Sequence, residues 1–251
     1  MTLRIVHLFP RELGINGDVG NVTALVERAR EYGIATEVVD VGRGDELPAS
    51  ADLVHIGSGP LSSVELVLPD AVRLGGTLRA WAADGVPFLA IAAGWEVLGR
   101  SITTEDGRVL QGAGVFPTRA VRQNVQAVGE TVLRTRGGLL AGYVNQNSIT
   151  QLEDGAASLG EVVKGFGNGG IEQPDLGLEG VVAGSLFGTH LHGTALAMNP
   201  GLADRLLTIA VQRQDAGAHL QRPSAGGRLD RIDHFARGSR EALMRRVGVA
   251  E

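Results

Sequence analysis

No cysteine occurs among the 251 residues, which excludes disulfides, thiolate metal sites and thiol nucleophiles together. Aromatic side chains make up only 4% of the chain, with two tryptophans, so the core must come from aliphatic residues. No run of 18 apolar residues is present, and no membrane-spanning helix is expected. The chain enters an apolar stretch at Leu3–Leu8 without a charged lead or a small-residue cleavage site, as expected of a cytoplasmic protein. No Lys/Arg block precedes the C-terminal tail, and the formal charge of −5 is a modest solubilising value, so a nucleic-acid partner is not expected. Repeats of 20 to 50 residues and low-complexity tracts are also missing.

What the chain does have is 43% hydrophobic residues and 37 glycines. This composition fits an α/β fold, a mostly parallel sheet with helices on both faces and tight turns between strand and helix. Leu3 to Phe9 predicts a strand, and Gly14 to Asn21 a glycine-punctuated loop. Val22, Leu25, Val26 and Ala29 then fall at helical spacing, with Gly33 at the C-cap position. Strands are expected at Ala35–Val41, Leu53–Ile56 and Pro87–Ile91, helices at about Leu66–Asp84 and Ala92–Leu98. Between Val109 and Val163, short β-type segments broken by Gly, Asn and Asp predict an antiparallel extension. Val181 to His192 reads as one more strand with its exit loop, followed by a helix from Leu202 to about Val211. The economical division is a domain over 1–211, a linker over 212–228 containing Arg222-Pro223-Ser224-Ala225-Gly226-Gly227, and a helical tail over 229–251. The tail reads either as a packing helix or as a docking element for a partner.

The chemistry centres on Pro87 to Gly99, PFLAIAAGWEVLG. A buried strand running through small residues straight into a helix is the layout of a nucleophile elbow, in which a strained turn lifts one side chain to a helix N-terminus. Close strand–helix packing alone also asks for small residues there. At the turn itself stands Ala92, whose methyl group cannot attack a carbonyl. A second feature is Gly184 to Gly193, GSLFGTHLHG, where His192 at a strand exit is placed to act as a general base. His190 and His192 would share a face if the strand persisted, so a metal pair and a satisfied structural histidine stand beside that reading. No third ligand of matching spacing is present, and neither a metal nor a cofactor is expected.

Other motifs carry less. The loop Gly14–Gly20 has neither Gly-x-Gly-x-x-Gly nor a Walker lysine, which argues against a nucleotide cradle. Ser58, Ser62 and Ser185 are not in Gly-x-Ser-x-Gly at an elbow, which argues against a serine hydrolase. Trp81 and Trp95 are expected to pack helices on the sheet, Trp95 also narrowing the space beside the elbow.

The segments Gly17-Asp18-Val19-Gly20-Asn21, Phe88–Gly99, Val162–Asn168 and Glu179–Asp204 resemble the cobyric-acid-synthase-type class I glutamine amidotransferases. Within that group they resemble the amidotransferase subunit of lipid II isoglutaminyl synthase. The likeness covers about residues 3–211 and implies a flavodoxin-like sheet order. It also implies a subunit that releases ammonia from glutamine for a Mur-ligase-like, ATP-dependent partner amidating the glutamate of the peptidoglycan stem peptide. Carried over, the nucleophilic cysteine falls on Ala92, the catalytic histidine on His192 and the acidic helper on Asp18. The oxyanion loop falls on Gly57-Ser58-Gly59, and Gly94 lies in the turn that contacts substrate. Three departures gather around the glutamine. Glu96 stands where the family has glutamine, Gln126 where its carboxylate-holding arginine falls, and Val144-Asn145-Gln146 where Glu-Asn-His is usual. Loss of that arginine weakens a carboxylate site.

Two explanations of Ala92 are therefore expected to compete. One is a naturally inactive amidotransferase-like subunit that binds a Mur-ligase-like or other ligase. The other is a glutamine-hydrolysing subunit carrying an engineered alanine. A third reading has the altered pocket binding a different small molecule, with Glu96 pairing to an amine.

Overall fold

The computed structural model describes residues 1–173, 177–223 and 225–249. Part of the expected linker (Ser224), the last two residues of the expected tail and the segment 174–176 lie outside the described residues.

The first half is built of β1 (Thr2–Leu8), α1 (Gly20–Glu31), β2 (Ala35–Val41), β3 (Leu53–Ile56), α2 (Leu61–Ala83), β4 (Phe88–Ile91) and α3 (Ala93–Leu98). The second half contains β5 (Ser101–Thr103), β6 (Val109–Gln111), β7 (Thr118–Thr135), β8 (Gly138–Leu152), β9 (Gly160–Lys164), β10 (Leu178–Glu179), β11 (Val181–Ala183), β12 (Leu186–Thr189) and β13 (Leu191–His192). Three helices close the chain, α4 (Ala195–Met198), α5 (Pro200–Gln214) and α6 (Arg228–Arg246).

Six strands form one sheet in the order β11-β12-β4-β3-β1-β2, parallel throughout except for the β11–β12 hairpin. Its central strands are buried on both faces, which is why β4 and β12 are continuous apolar or small-residue runs with no alternation and β3 departs from this only at His55. Successive side chains point to opposite sides. Accordingly Val6 and Leu8 pack with α2 residues Val64, Leu68 and Leu78, while Leu3 and Ile5 pack with Leu25 of α1 and Leu206 of α5.

The helix α2 starts five residues before the expected Leu66 and runs through Pro69. Burial of Val64, Val67, Leu68 and Ala71 along one face outweighs the loss of one backbone donor, the cost of an internal proline. The region expected as one strand over Val181–His192 is three strands, because Gly184 turns back at φ +61 and the chain changes sheet after Thr189.

The antiparallel strands form a second sheet, dominated by the long hairpin β7–β8, whose two-residue turn is Arg136-Gly137. These strands are far longer than the short segments expected. Polar residues lie on both sides of this ladder, Arg122, Thr131, Gln146 and Thr150 among the buried ones, and one register shift between Arg122 and Ala127 absorbs an irregular stretch. β13 adds to β8, pairing His192 with Tyr143, so the exit of the parallel sheet is stitched to the hairpin.

The tail helix α6 packs Leu243 and Met244 against Val132 and Ala141 of the hairpin. Arg28 of α1 ties it down with a 2.7 Å ion pair to Asp233, beside two bonds to Asp204 of α5. Among the described residues no helix is long and apolar enough to cross a membrane. Truncating Leu243 to alanine should lower stability by ~2–3 kcal/mol, read from the urea unfolding midpoint. A change below about 0.5 kcal/mol would mean that α6 is not part of the cooperative unit.

Candidate active site

The chain between β4 and α3 turns at Ala92, with φ 42° and ψ −109°. That conformation is strained for any residue with a Cβ. Three contacts hold it. The Ala92 amide donates to the Thr189 carbonyl at 2.9 Å, and the Ala93 amide donates to Ser58 Oγ at 3.3 Å. Gly94 lies on the backbone of Gly57 so closely that a Cβ would stand 2.1 Å from the Gly57 carbonyl oxygen. The loop Gly57-Ser58-Gly59 is thus locked directly against the elbow. It is held from its other side by the Ile15 amide, which donates to the Ser58 carbonyl at 3.1 Å.

Asp18 and His192, 174 positions apart, meet in this neighbourhood. His192 Nδ1 is 3.0 Å from Asp18 Oδ2, and His192 Nε2 is 3.2 Å from the Asn145 carbonyl oxygen. Both ring nitrogens face oxygen acceptors, so only the doubly protonated ring donates to both. The two loops that carry this pair are joined by a backbone bond from Gly193 N–H to the Asn16 carbonyl at 3.1 Å and by the Thr194 hydroxyl, which donates to the Gly17 carbonyl at 3.2 Å. Gly20 is required for that approach, since a Cβ there would come within 2.5 Å of Thr194 Oγ1.

His190 and His192 do not share a face. β12 ends at Thr189 and His190 lies at the crossover to the second sheet, which breaks the alternation that a metal pair would need. His190 instead contacts Glu179 Oε1 through Nδ1 at 3.2 Å and Thr150 Oγ1 through Nε2 at 3.3 Å. Glu179, fully buried, also accepts from the His190 amide at 2.6 Å and from Thr189 Oγ1 at 3.1 Å. It clamps the crossover that delivers His192. Glu179 entered the sequence reading only as the edge of a family-like segment, because nothing local links it to a histidine eleven residues on. Trp95 packs its ring 4.9 Å from that of His190 and donates to Thr118 Oγ1 at 3.1 Å.

The altered positions have their own partners. Glu96 Oε2 accepts two bonds from Arg122, at 3.0 Å from Nε and 2.8 Å from Nη2, in a buried ion pair. The carboxylate read as a seat for an amine is therefore occupied by a guanidinium of the same chain. Arg122 was not singled out from sequence, being four residues before Gln126 at the start of the irregular stretch of β7. Gln126 is exposed and donates to the side chain of Asn145, and Gln146 donates to the Gly167 carbonyl at 2.6 Å. Asp18, Gly57, Ser58, Gly59, Ala92, Gly94, Glu96 and His192 are all buried, and Gln126 alone among the singled-out positions is at the surface. Among the described residues no group of three or more His, Asp or Glu is placed to hold a metal ion.

Beneath the site, His55 of β3 is fully buried, with Nδ1 3.0 Å from the Leu89 carbonyl and Nε2 3.1 Å from the Asp18 carbonyl. Burial, reinforced by the neighbouring His7, pushes its pKa down to about 3, so the ring is neutral and donates to one of the two carbonyls. The unfolded chain holds a proton on this residue below its ordinary value of about 6.5, whereas the folded protein refuses it until about 3. Stability is therefore fully present above pH 6.5 and falls as pH drops toward 3, by up to about 1.4 kcal/mol per pH unit from this one group. Chemical denaturation between pH 7 and 4.5 should show that slope, and His55→Gln should flatten it; an unchanged slope would contradict the assignment. At the elbow, Ala92→Gly should raise stability by ~1 kcal/mol by releasing the positive-φ strain. A loss in the same denaturation assay would mean that the turn is unstrained.

Comparison with known proteins bears on the fold and the family. Over 214 residues, 84% of this chain and 86% of the relative, the chain is 29% identical to the GatD subunit of the glutamine-hydrolysing lipid II isoglutaminyl synthase of Staphylococcus aureus. The GatD subunit of Streptococcus pneumoniae is 28% identical over 88% of this chain and 85% of its own length. Cobyric acid synthase of Nocardia farcinica is 28% identical over 70% of this chain but only 34% of that longer protein. A solved glutamine amidotransferase superposes with a TM-score of 0.56 at 17% identity, over 82% of this chain and 98% of the other. The acivicin-bound glutaminase domain of the Trypanosoma brucei CTPS gives 0.54 at 11% identity, over 89% and 98%. Residues 4–200 match the family of CobB/CobQ-like glutamine amidotransferase domains, and the chain belongs to that family.

Proposed function

We propose that this protein, with alanine at position 92, is a glutamine amidotransferase-like subunit without glutaminase activity that associates with a Mur-ligase-like, ATP-dependent ligase in the cytoplasm. The observation that carries the reading is the Ala92 methyl group standing at the elbow, beside an Asp18–His192 pair that has no thiol to deprotonate. Loss of a covalent nucleophile costs on the order of 10⁶-fold in rate. The altered pocket points the same way, since Glu96 engages Arg122 in a buried pair and Gln126 carries no charge with which to hold a carboxylate. The ligase partner is supported by the GatD relatives, which are named as subunits of a synthase and align over most of their length.

One observation favours a second reading, a glutamine-hydrolysing subunit with an engineered Cys-to-Ala change at Ala92. The positive-φ turn and the Asp18–His192 contact are kept, although a protein with no use for them would gain by relaxing the strain. The native codon at position 92 separates the two readings, alanine for the first and cysteine for the second. On the first reading, Ala92→Cys releases no ammonia from glutamine above the blank while the protein still co-elutes with its ligase in size-exclusion chromatography. Ammonia release by that variant supports the second reading, and elution of the unaltered protein without the co-expressed ligase contradicts the partnership.

A further inference from the structure

A cavity of about 320 Å³ lies away from the elbow, where the β7–β8 turn, the segment leading into β9, β11, the start of α5 and the helix α6 come together. Its floor is apolar, with Leu140, Leu159 and Leu202 among its lining residues. Three arginines from three different elements also line it, Arg136 of the hairpin turn, Arg205 of α5 and Arg240 of α6. No carboxylate is among the described residues that line it, in a chain whose formal charge is −5.

Each cation is held in a different way. The Arg240 guanidinium is anchored by a bond from Nη1 to the Met198 carbonyl at 2.5 Å. Arg205 rests over the ring of Phe187, 4.7 Å from its centroid, an arrangement that keeps the charge while fixing the plane of the fork. Arg136 stands exposed in the two-residue turn. Neither Arg136 nor Arg205 has a carboxylate partner among the described residues. Arg136 and Arg205 thus bring two guanidinium groups without carboxylate partners to one small concavity, where an oxyanion is recognised through bidentate hydrogen bonds. Apolar walls closed by a few convergent polar groups are the general form of a small-molecule site, and the volume is at the small end of the ~300–1,000 Å³ range of such sites.

We propose that this cavity is a binding site for a small phosphorylated amphiphile, its phosphate taken by Arg136 and Arg205 and its short apolar body laid on the leucine floor. The inference goes beyond the reading of the elbow, and its test does not depend on ammonia chemistry.

The test is isothermal titration of the full chain with octyl phosphate, and with inorganic phosphate, octanoate and 1-octanol as separate probes. Octyl phosphate should bind saturably with one site per chain, at least about tenfold more tightly than any of the other three, and its affinity should fall as salt is raised. Arg136→Glu combined with Arg205→Gln should weaken it at least about tenfold while leaving the circular dichroism spectrum unchanged. Arg136→Glu alone, at an exposed turn where refolding is not an issue, should weaken it in the same direction. Binding of octyl phosphate no tighter than 1-octanol, or wild-type affinity in both variants, would overturn the site. Equal binding of octanoate would overturn its assignment to phosphate.

Discussion

The backbone corner at Ala92 is the constraint on which the rest of the site depends. A parallel strand that ends in the middle of a sheet must reverse at once into the helix packed above it, and here that reversal is made in one residue at φ 42°. Such a turn survives only when its surroundings over-determine it. The carbonyl of Thr189 fixes one side, Ser58 Oγ another, and the bare Cα of Gly94 allows the Gly57 carbonyl to close the third. The same three contacts bring the loop Gly57-Ser58-Gly59, the elbow and the end of β12 to one point. Asp18 and His192 can meet there only because β1, β3, β4 and β12 are adjacent in the sheet.

The second sheet acts as a cover over this point. The crossover after Thr189 leaves the parallel sheet through His190, is clamped by Glu179, and joins β8 as β13. Asn145 of β8 thereby brings its carbonyl to His192, and Arg122, at the edge of the register shift in β7, brings its guanidinium to Glu96. Removing one member of a buried ion pair leaves the other uncompensated, at a cost of roughly 3–5 kcal/mol. The Glu96–Arg122 contact is therefore a structural commitment of the pocket. It takes up the charge that a carboxylate ligand would otherwise find, while the elbow beside it presents only a methyl group.

The parallel half of this architecture is legible in the sequence because its signals are local. The spacing of Val22, Leu25 and Ala29, the glycine after α1 and the small residues after β4 each act within a few positions. The hairpin is less legible, since its outer face is polar and its inner face is interrupted by the irregular stretch at Arg122–Ala127. The partners of Glu96, of His190 and of α6 were not legible at all. Arg122 lies 26 residues from Glu96, and the Arg28–Asp233 bond that secures α6 spans 205 residues. Periodicity predicts the helix α6 but says nothing about what it docks against. The strand does not persist through His190 to His192, the condition on which the two would have shared a face, because the chain changes sheet there.

The most direct measurement follows the release of labelled ammonia from amide-¹⁵N glutamine by the protein with alanine at position 92, alone and with the proposed ligase partner. A corner bearing a methyl group, above a pocket whose charge is already neutralised from within, should give no ammonia beyond the uncatalysed background in either case. Turnover would contradict the account, and would require a nucleophile other than the residue at the elbow.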